Sequence, residues 1–113
     1  MQLSNNIAYI LKEIAKTAQK IFGNKLHSVV LYGSYARGDY DRESDVDIMI
    51  LADVNDQELS LYRKPLIDIC SDLGLEYDLL IVPTIQDIKV YQKYVNALPF
   101  FQNVEKEGIK IAV

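Results

Sequence analysis

Two apolar runs are joined by a small-residue turn and a polar loop. Val29-Val30-Leu31-Tyr32 leads into Gly33-Ser34, and Ser44-Asp45-Val46-Asp47 leads into Ile48-Met49-Ile50-Leu51. No other stretch of the chain limits its folding as strongly. The first run ends on a glycine, which tolerates backbone conformations and close approaches denied to other residues. The second opens with two carboxylates at i and i+2, and in a strand such side chains share a face. Asp45 and Asp47 therefore project together, while Val46, Ile48 and Ile50 can turn to a core. Two carboxylates this close repel each other unless a cation lies between them.

The remaining pattern alternates helices and strands. Ile7, Ile10, Leu11, Ile14, Ala15, Ala18, Ile21 and Phe22 recur at steps of three and four, predicting an amphipathic helix with Ser4 or Asn5 as N-cap and Gly23 as terminator. Strands are expected over Leu26 to Tyr32 and Asp45 to Leu51. A helix follows over Asp56 to Leu73, closed by Gly74 and kinked or broken at Pro65. Glu76 to Val82 reads as a third strand stopped by Pro83. A short helix starts at Thr84 or Gln86 and ends before Pro99, another spans Pro99 to Glu107 with Gly108 as C-cap, and Ile109 to Ala112 forms a last short strand. This order implies an α/β (α+β) fold class, with residues 1–113 as one domain. The first two strands are joined by about a dozen residues without helical periodicity, a loop length that usually carries function.

Charge and cysteine content narrow the setting. The formal net charge of −4 argues against a general nucleic-acid binder, so no nucleic-acid partner is expected. A bound triphosphate would need neutralising by metal ions or by a few basic side chains. Cys70 is the only cysteine, which excludes an intrachain disulfide and suits the cytoplasm. The first residues lack the pattern of a secretory signal. No apolar run approaches the ~20 residues needed to span a bilayer, so no membrane partner is expected.

Magnesium favours one or two carboxylates together with phosphate oxygens and water, so Asp45 and Asp47 read as half of a site that a nucleoside triphosphate completes. Asp78, inside the apolar stretch Leu75 to Val82, would be costly unpaired, and a metal ion shared with Asp45 and Asp47 would supply its partner. Three carboxylates so arranged match two-metal chemistry, with Asp78 on the nucleophile side and Glu76 ranked behind it. Gly33 admits phosphate close to backbone, and Ser34 adds a hydroxyl donor. Arg37 either reaches a phosphate oxygen or pairs with Asp39 or Asp41; Ser44 either orients Asp45 or caps the turn. His27 and Cys70 read as structural. Tyr32, Tyr35 and Tyr40 either pack or stack on a base. Neither a P-loop nor a Rossmann fingerprint occurs.

Gly33-Ser34-Tyr35-Ala36-Arg37-Gly38-Asp39, the ten-residue spacer after Ser34 and Ser44-Asp45-Val46-Asp47 together resemble the nucleotidyltransferase superfamily that includes DNA polymerase beta and the aminoglycoside nucleotidyltransferases. The resemblance is nearest to the minimal nucleotidyltransferases. It implies a nucleotidyltransferase core, a small mixed sheet with helices packed against it. It implies that Gly33 and Ser34 bind the triphosphate and that Asp45, Asp47 and Asp78 are catalytic and hold two Mg2+ ions. Many members of that group are antitoxins that move AMP from ATP to a tyrosine of a helical HEPN-domain ribonuclease toxin. The resemblance therefore also implies ATP as substrate, a HEPN toxin as partner and a hetero-oligomer with it. Two rivals stand beside this reading: transfer to a small molecule such as an aminoglycoside, and a non-catalytic antitoxin that masks its partner by binding.

Overall fold

The two apolar runs form neighbouring antiparallel strands at the centre of a four-stranded sheet. The computed structural model describes residues 5–111. In chain order the elements are α1 (Asn5–Phe22), a 3₁₀ turn (Gly23–Lys25), β1 (Leu26–Tyr32), α2 (Ser34–Arg37), β2 (Val46–Ala52), α3 (Asp56–Tyr77), β3 (Ile81–Asp87), α4 (Ile88–Tyr94), α5 (Pro99–Glu107) and β4 (Ile109–Ile111). The strand order is β3-β2-β1-β4. β1 is antiparallel to β2 and to β4, and β3 is parallel to β2, so the sheet is mixed, as expected.

Both faces of the sheet are covered, which is why β1 and β2 read as nearly unbroken apolar runs. Val29, Leu31, Val46, Ile48 and Ile50 pack against α1 and α3, meeting Ile10, Leu11, Ile14, Leu66 and Cys70. Val30, Met49 and Leu51 face the other way and meet Ile88 and Tyr91 of α4 and Phe101 and Val104 of α5. Strand alternation puts Asp47 on this second face, two residues before Met49. The apolar stripe expected for α1 is the one it buries. Ser4, one of its two expected caps, lies outside the described residues, and Asn5, the first described residue, is already helical. The end expected for the final strand, Ala112, also lies outside them.

Several features differ from expectation, each for a local reason. α3 is continuous through Pro65, which lies on the exposed face, where the Leu61 carbonyl it leaves without a donor is open to water. Gly74 does not end α3. The helix runs to Tyr77, and Asp78 takes the left-handed conformation (φ 55°) at its C-cap. Gly74 is needed for a different reason: the chain folds back so that the Leu79 N–H donates to the Gly74 carbonyl at 2.9 Å, and a Cβ on Gly74 would lie 2.5 Å from the Leu79 carbonyl oxygen.

The third strand accordingly begins at Ile81, not at Glu76, and passes through Pro83. The Leu80 carbonyl accepts from the Val46 N–H, so alternate residues Val82 and Thr84 turn to β2 while Pro83 turns to the open edge. Proline is tolerated there because no ladder bond is lost. α4 then starts at Ile88, with the Asp87 side chain accepting from the Lys89 N–H at 2.9 Å, later than the expected Thr84 or Gln86. Finally, the loop after Gly33 contains one helical turn, α2, too short to show periodicity in sequence.

Gly74→Ala forces a methyl group against the Leu79 carbonyl, and overpacking of this kind costs about 1–3 kcal/mol. The expected result is a lower urea midpoint with an unchanged slope. A midpoint at the wild-type value would contradict the close approach.

Candidate active site

Gly33 ends β1 with φ 77° and ψ −155°, a conformation that residues with a Cβ avoid, and it serves as N-cap of α2. Its carbonyl accepts from the Ala36 and Arg37 N–H groups, each at 3.1 Å. Gly38, at φ 87°, closes the turn by donating to the Ser34 carbonyl at 2.9 Å. Two glycines with positive φ therefore bound a single helical turn. Ser34 opens it, and its hydroxyl makes no hydrogen bond among the described residues.

Asp47 pairs with Tyr32 across the β1–β2 ladder, which brings its carboxylate against Gly33. A Cβ on Gly33 would lie 2.5 Å from Asp47 Oδ2. Gly33 thus makes room for the carboxylate as well as for the turn. Burial pushes the Asp47 carboxyl above its ordinary pKa, the Asp45 charge pushes it further, and the Arg37 guanidinium pulls it back. Asp45, one residue before β2, is exposed. The two carboxylates repel, with Asp47 half-buried, and this donor set suits a hard divalent cation.

Arg37 donates to Asp39 at 3.2 Å and to Glu107 at 3.4 Å. The structural pairing with Asp39 is therefore present, and Asp41 is engaged elsewhere. Asp41 and Ser44 close their own turn: the Asp41 N–H donates to Ser44 Oγ at 2.9 Å and the Glu43 N–H to Asp41 Oδ1 at 2.9 Å, so Ser44 caps the turn before Asp45. Tyr35 is buried and stacks on Tyr40 with ring centres 4.1 Å apart, which ties the end of α2 to the loop after it. These two rings are used in packing. His27 is exposed and bonds to Ser28 at 3.1 Å, and Cys70 is buried, with its thiol pushed up to about 11, so the cysteine packs in the core as expected.

Asp78 departs from expectation. It is exposed at the C-terminus of α3, ahead of β3, and not enclosed in an apolar strand. The desolvation cost that called for a shared metal does not arise there. Among the described residues no three acidic, histidine or cysteine side chains gather into a metal-holding group. Glu76, in the last turn of α3, is exposed as well. The structure brings together Gly33, Ser34, Arg37, Asp45 and Asp47, and it places Asp78 at the C-cap of α3, two residues before Leu80, whose carbonyl accepts from the Val46 N–H.

The far wall of the site comes from α5, which the sequence reading passed over. Tyr32, Gly33, Arg37, Phe100, Asn103, Val104 and Glu107 line a cavity of about 200 Å³ beside the turn. Phe101 and Val104 are buried against the sheet, which leaves Phe100, Asn103 and Glu107 as an adjoining stripe. The signal was present in the spacing, since residues 100, 103 and 107 fall on one side of a helix. A larger cavity, about 290 Å³, opens at the other end of the same face, lined by His27, Tyr91 and Glu105 among others. The Tyr91 hydroxyl there already donates to Glu105 at 2.7 Å, and the cavity holds neither Asp45 nor Asp47.

The raised Asp47 pKa has a consequence for stability. At low pH its carboxyl is neutral in both the folded and the unfolded chain. As pH rises the unfolded chain releases this proton first, so folding loses stability until Asp47 has ionised too. Asp47→Asn cannot ionise. It should melt above the wild type near pH 7 in chelator-treated buffer, and the gap should close at about pH 3. Thermal unfolding at both pH values checks this; a variant that melts below the wild type at pH 7 would contradict it.

The nucleotidyltransferase domain family matches residues 11–110. A protein of Methanocaldococcus jannaschii named as protein adenylyltransferase MJ0141 is 41% identical over 105 residues, which are 93% of this chain and 98% of the relative. Another from that organism, named as protein adenylyltransferase MJ0604, is 34% identical over 98 residues, 87% of this chain and 90% of the relative. Among solved structures, a toxin–antitoxin with AMP-PNP is similar in fold, with a TM-score of 0.52 and 20% identity over 95% of this chain and 72% of that one. The Shewanella oneidensis complex of a tri-AMPylated HEPN toxin with an MNT antitoxin is similar too, with a TM-score of 0.50 and 18% identity over 90% of this chain and 68% of that one. With Asp47 seated against Gly33 on a mixed sheet, this chain belongs to the nucleotidyltransferase domain family and is an enzyme of that type.

Proposed function

We propose that this chain is a magnesium-dependent protein adenylyltransferase that moves AMP from ATP to a tyrosine of a HEPN-domain toxin and so acts as its antitoxin. In this reading residues 1–113 work as one minimal domain in the cytoplasm, in a hetero-oligomer with the toxin and without nucleic acid. The observation that carries it is the Asp45–Asp47 pair, with Asp47 held against Gly33 at the start of α2. Relatives named as protein adenylyltransferases support the acceptor class, and the toxin–antitoxin complexes of similar fold support the partner.

Gly33 and Ser34 hold the triphosphate, with Arg37 at its edge, and Asp45 and Asp47 hold the metal, two ions in all. When bound, magnesium would neutralise phosphate charge and favour ionisation of the attacking hydroxyl. The tyrosine oxygen forms a bond to the α-phosphorus, the bond from that phosphorus to the bridging oxygen breaks, and pyrophosphate leaves. The chain's own share is placement: a narrow turn for the phosphates, a hydroxyl donor on Ser34, the Asp47 carboxylate fixed by the β1–β2 ladder and Asp45 at the entry to β2. Asp78 enters only through the resemblance, as a third carboxylate, and its place at the end of α3 favours a site that runs on Asp45 and Asp47.

Incubating the chain with its genomic-neighbour HEPN protein, Mg2+ and labelled ATP should place the label on a tyrosine of that protein. Asp45→Asn and Asp47→Asn should each lower transfer at least about a hundredfold, the scale of losing several kcal/mol of charge stabilisation. Asp78→Asn should stay within about tenfold of the wild type. Label found only on an aminoglycoside would replace the proposal with small-molecule transfer. Full neutralisation of the toxin by the Asp45 and Asp47 variants would replace it with masking.

A further inference from the structure

The structure assigns a nucleobase subsite to the cavity between Gly33 and α5, with Asn103 reading adenine and Phe100 stacking on it. This inference rests on the proposed triphosphate site and adds to it the residues that choose the base. The cavity shares Gly33 with that site, so a nucleotide whose phosphates lie at Gly33 and Ser34 can extend its base toward α5. At about 200 Å³ it is smaller than the roughly 300–1,000 Å³ of drug-sized pockets and suits a single ring system.

Its lining has the parts a base needs. Phe100 is 49% exposed although it is a large apolar ring, and it is held edge-on by Tyr32 with ring centres 5.6 Å apart. A ring fixed on one side and open on the other is a stacking platform. Asn103 is exposed and makes no hydrogen bond among the described residues. Its carboxamide offers one donor and one acceptor side by side, the complement of the amino group and ring nitrogen of adenine. The two charged groups of the lining, Arg37 and Glu107, are engaged with each other at 3.4 Å, and Arg37 also with Asp39. The guanidinium that would otherwise favour guanine is thereby occupied.

The wall is also firmly placed. α5 is anchored by Phe101 and Val104 on the sheet. Its end is fixed by Gly108, where a Cβ would lie 2.6 Å from Val30 Cγ1, and by β4, which pairs with β1 immediately afterwards.

Calorimetry of the full chain with Mg-AMP-PNP, Mg-GMP-PNP and Mg-tripolyphosphate tests the assignment. The wild type should bind the adenine analogue about tenfold more tightly than the guanine analogue. Asn103→Ala should remove that preference and weaken adenine binding about tenfold, and Phe100→Ala should weaken both analogues about tenfold, with Phe100→Tyr restoring them. Tripolyphosphate binding should be unchanged in all three variants, which separates a base contact from damage to the fold. Adenine binding unaltered in Asn103→Ala and Phe100→Ala, a preference for guanine, or a loss of tripolyphosphate binding in these variants would each overturn the subsite. A wild type that binds tripolyphosphate but shows no base effect leaves the proposed transfer standing, whereas one that binds none of the three probes overturns that proposal as well.

Discussion

The constraint on which the site depends is the close approach of the Asp47 carboxylate to the Gly33 backbone. The positive φ at position 33 is a glycine conformation, and a Cβ there would displace the Asp47 carboxylate from its place beside the turn. One residue thereby solves two problems. It turns the chain from β1 into α2, and it lets an acidic group lie beside that turn. The β1–β2 ladder sets the register that makes the two meet, and the apolar layers on both faces hold the ladder.

That placement works against folding. A half-buried carboxylate with another acid nearby is a poor element of a core, and the raised Asp47 pKa is the sign of it. The cost is tolerable because the residues that follow, Ile48 to Ala52, are buried almost completely and supply apolar contact on both faces. The same strand therefore carries the most stabilising stretch of the chain and, at its mouth, one of the least. A cation bound there would relieve the repulsion.

The parts of the fold governed by short-range pattern were legible in the sequence. α1, β1 and α5 follow from periodicity and from glycine or proline at their ends, and their observed limits agree closely with those signals. The signature linking Gly33-Ser34 to Asp45 and Asp47 led to a real spatial grouping because it spans one ladder, where register leaves little freedom. The reading failed where a residue's role depended on what lay across from it in space. Gly74 looked like a terminator, but it is needed by the Leu79 carbonyl that crosses it. Pro83 looked like a stop, yet it lies on an edge strand. Asp78 looked enclosed because its neighbours are apolar, whereas the left-handed turn after α3 leaves it in water. Phe100, Asn103 and Glu107 were invisible for a related reason: the packing of Phe101 and Val104 on the sheet and the pairing of β4 with β1 bring α5 beside Gly33.

The outward-facing Pro83 has a consequence for chains crowded together during synthesis. An open sheet offers its rims to any extended segment in need of partners, and fibres grow by such additions. On the β3 rim the proline leaves one N–H missing from the row, and on the opposite rim the described part of β4 pairs with β1 over Ile109–Ile111. The β3 border therefore gives an arriving strand no uninterrupted template.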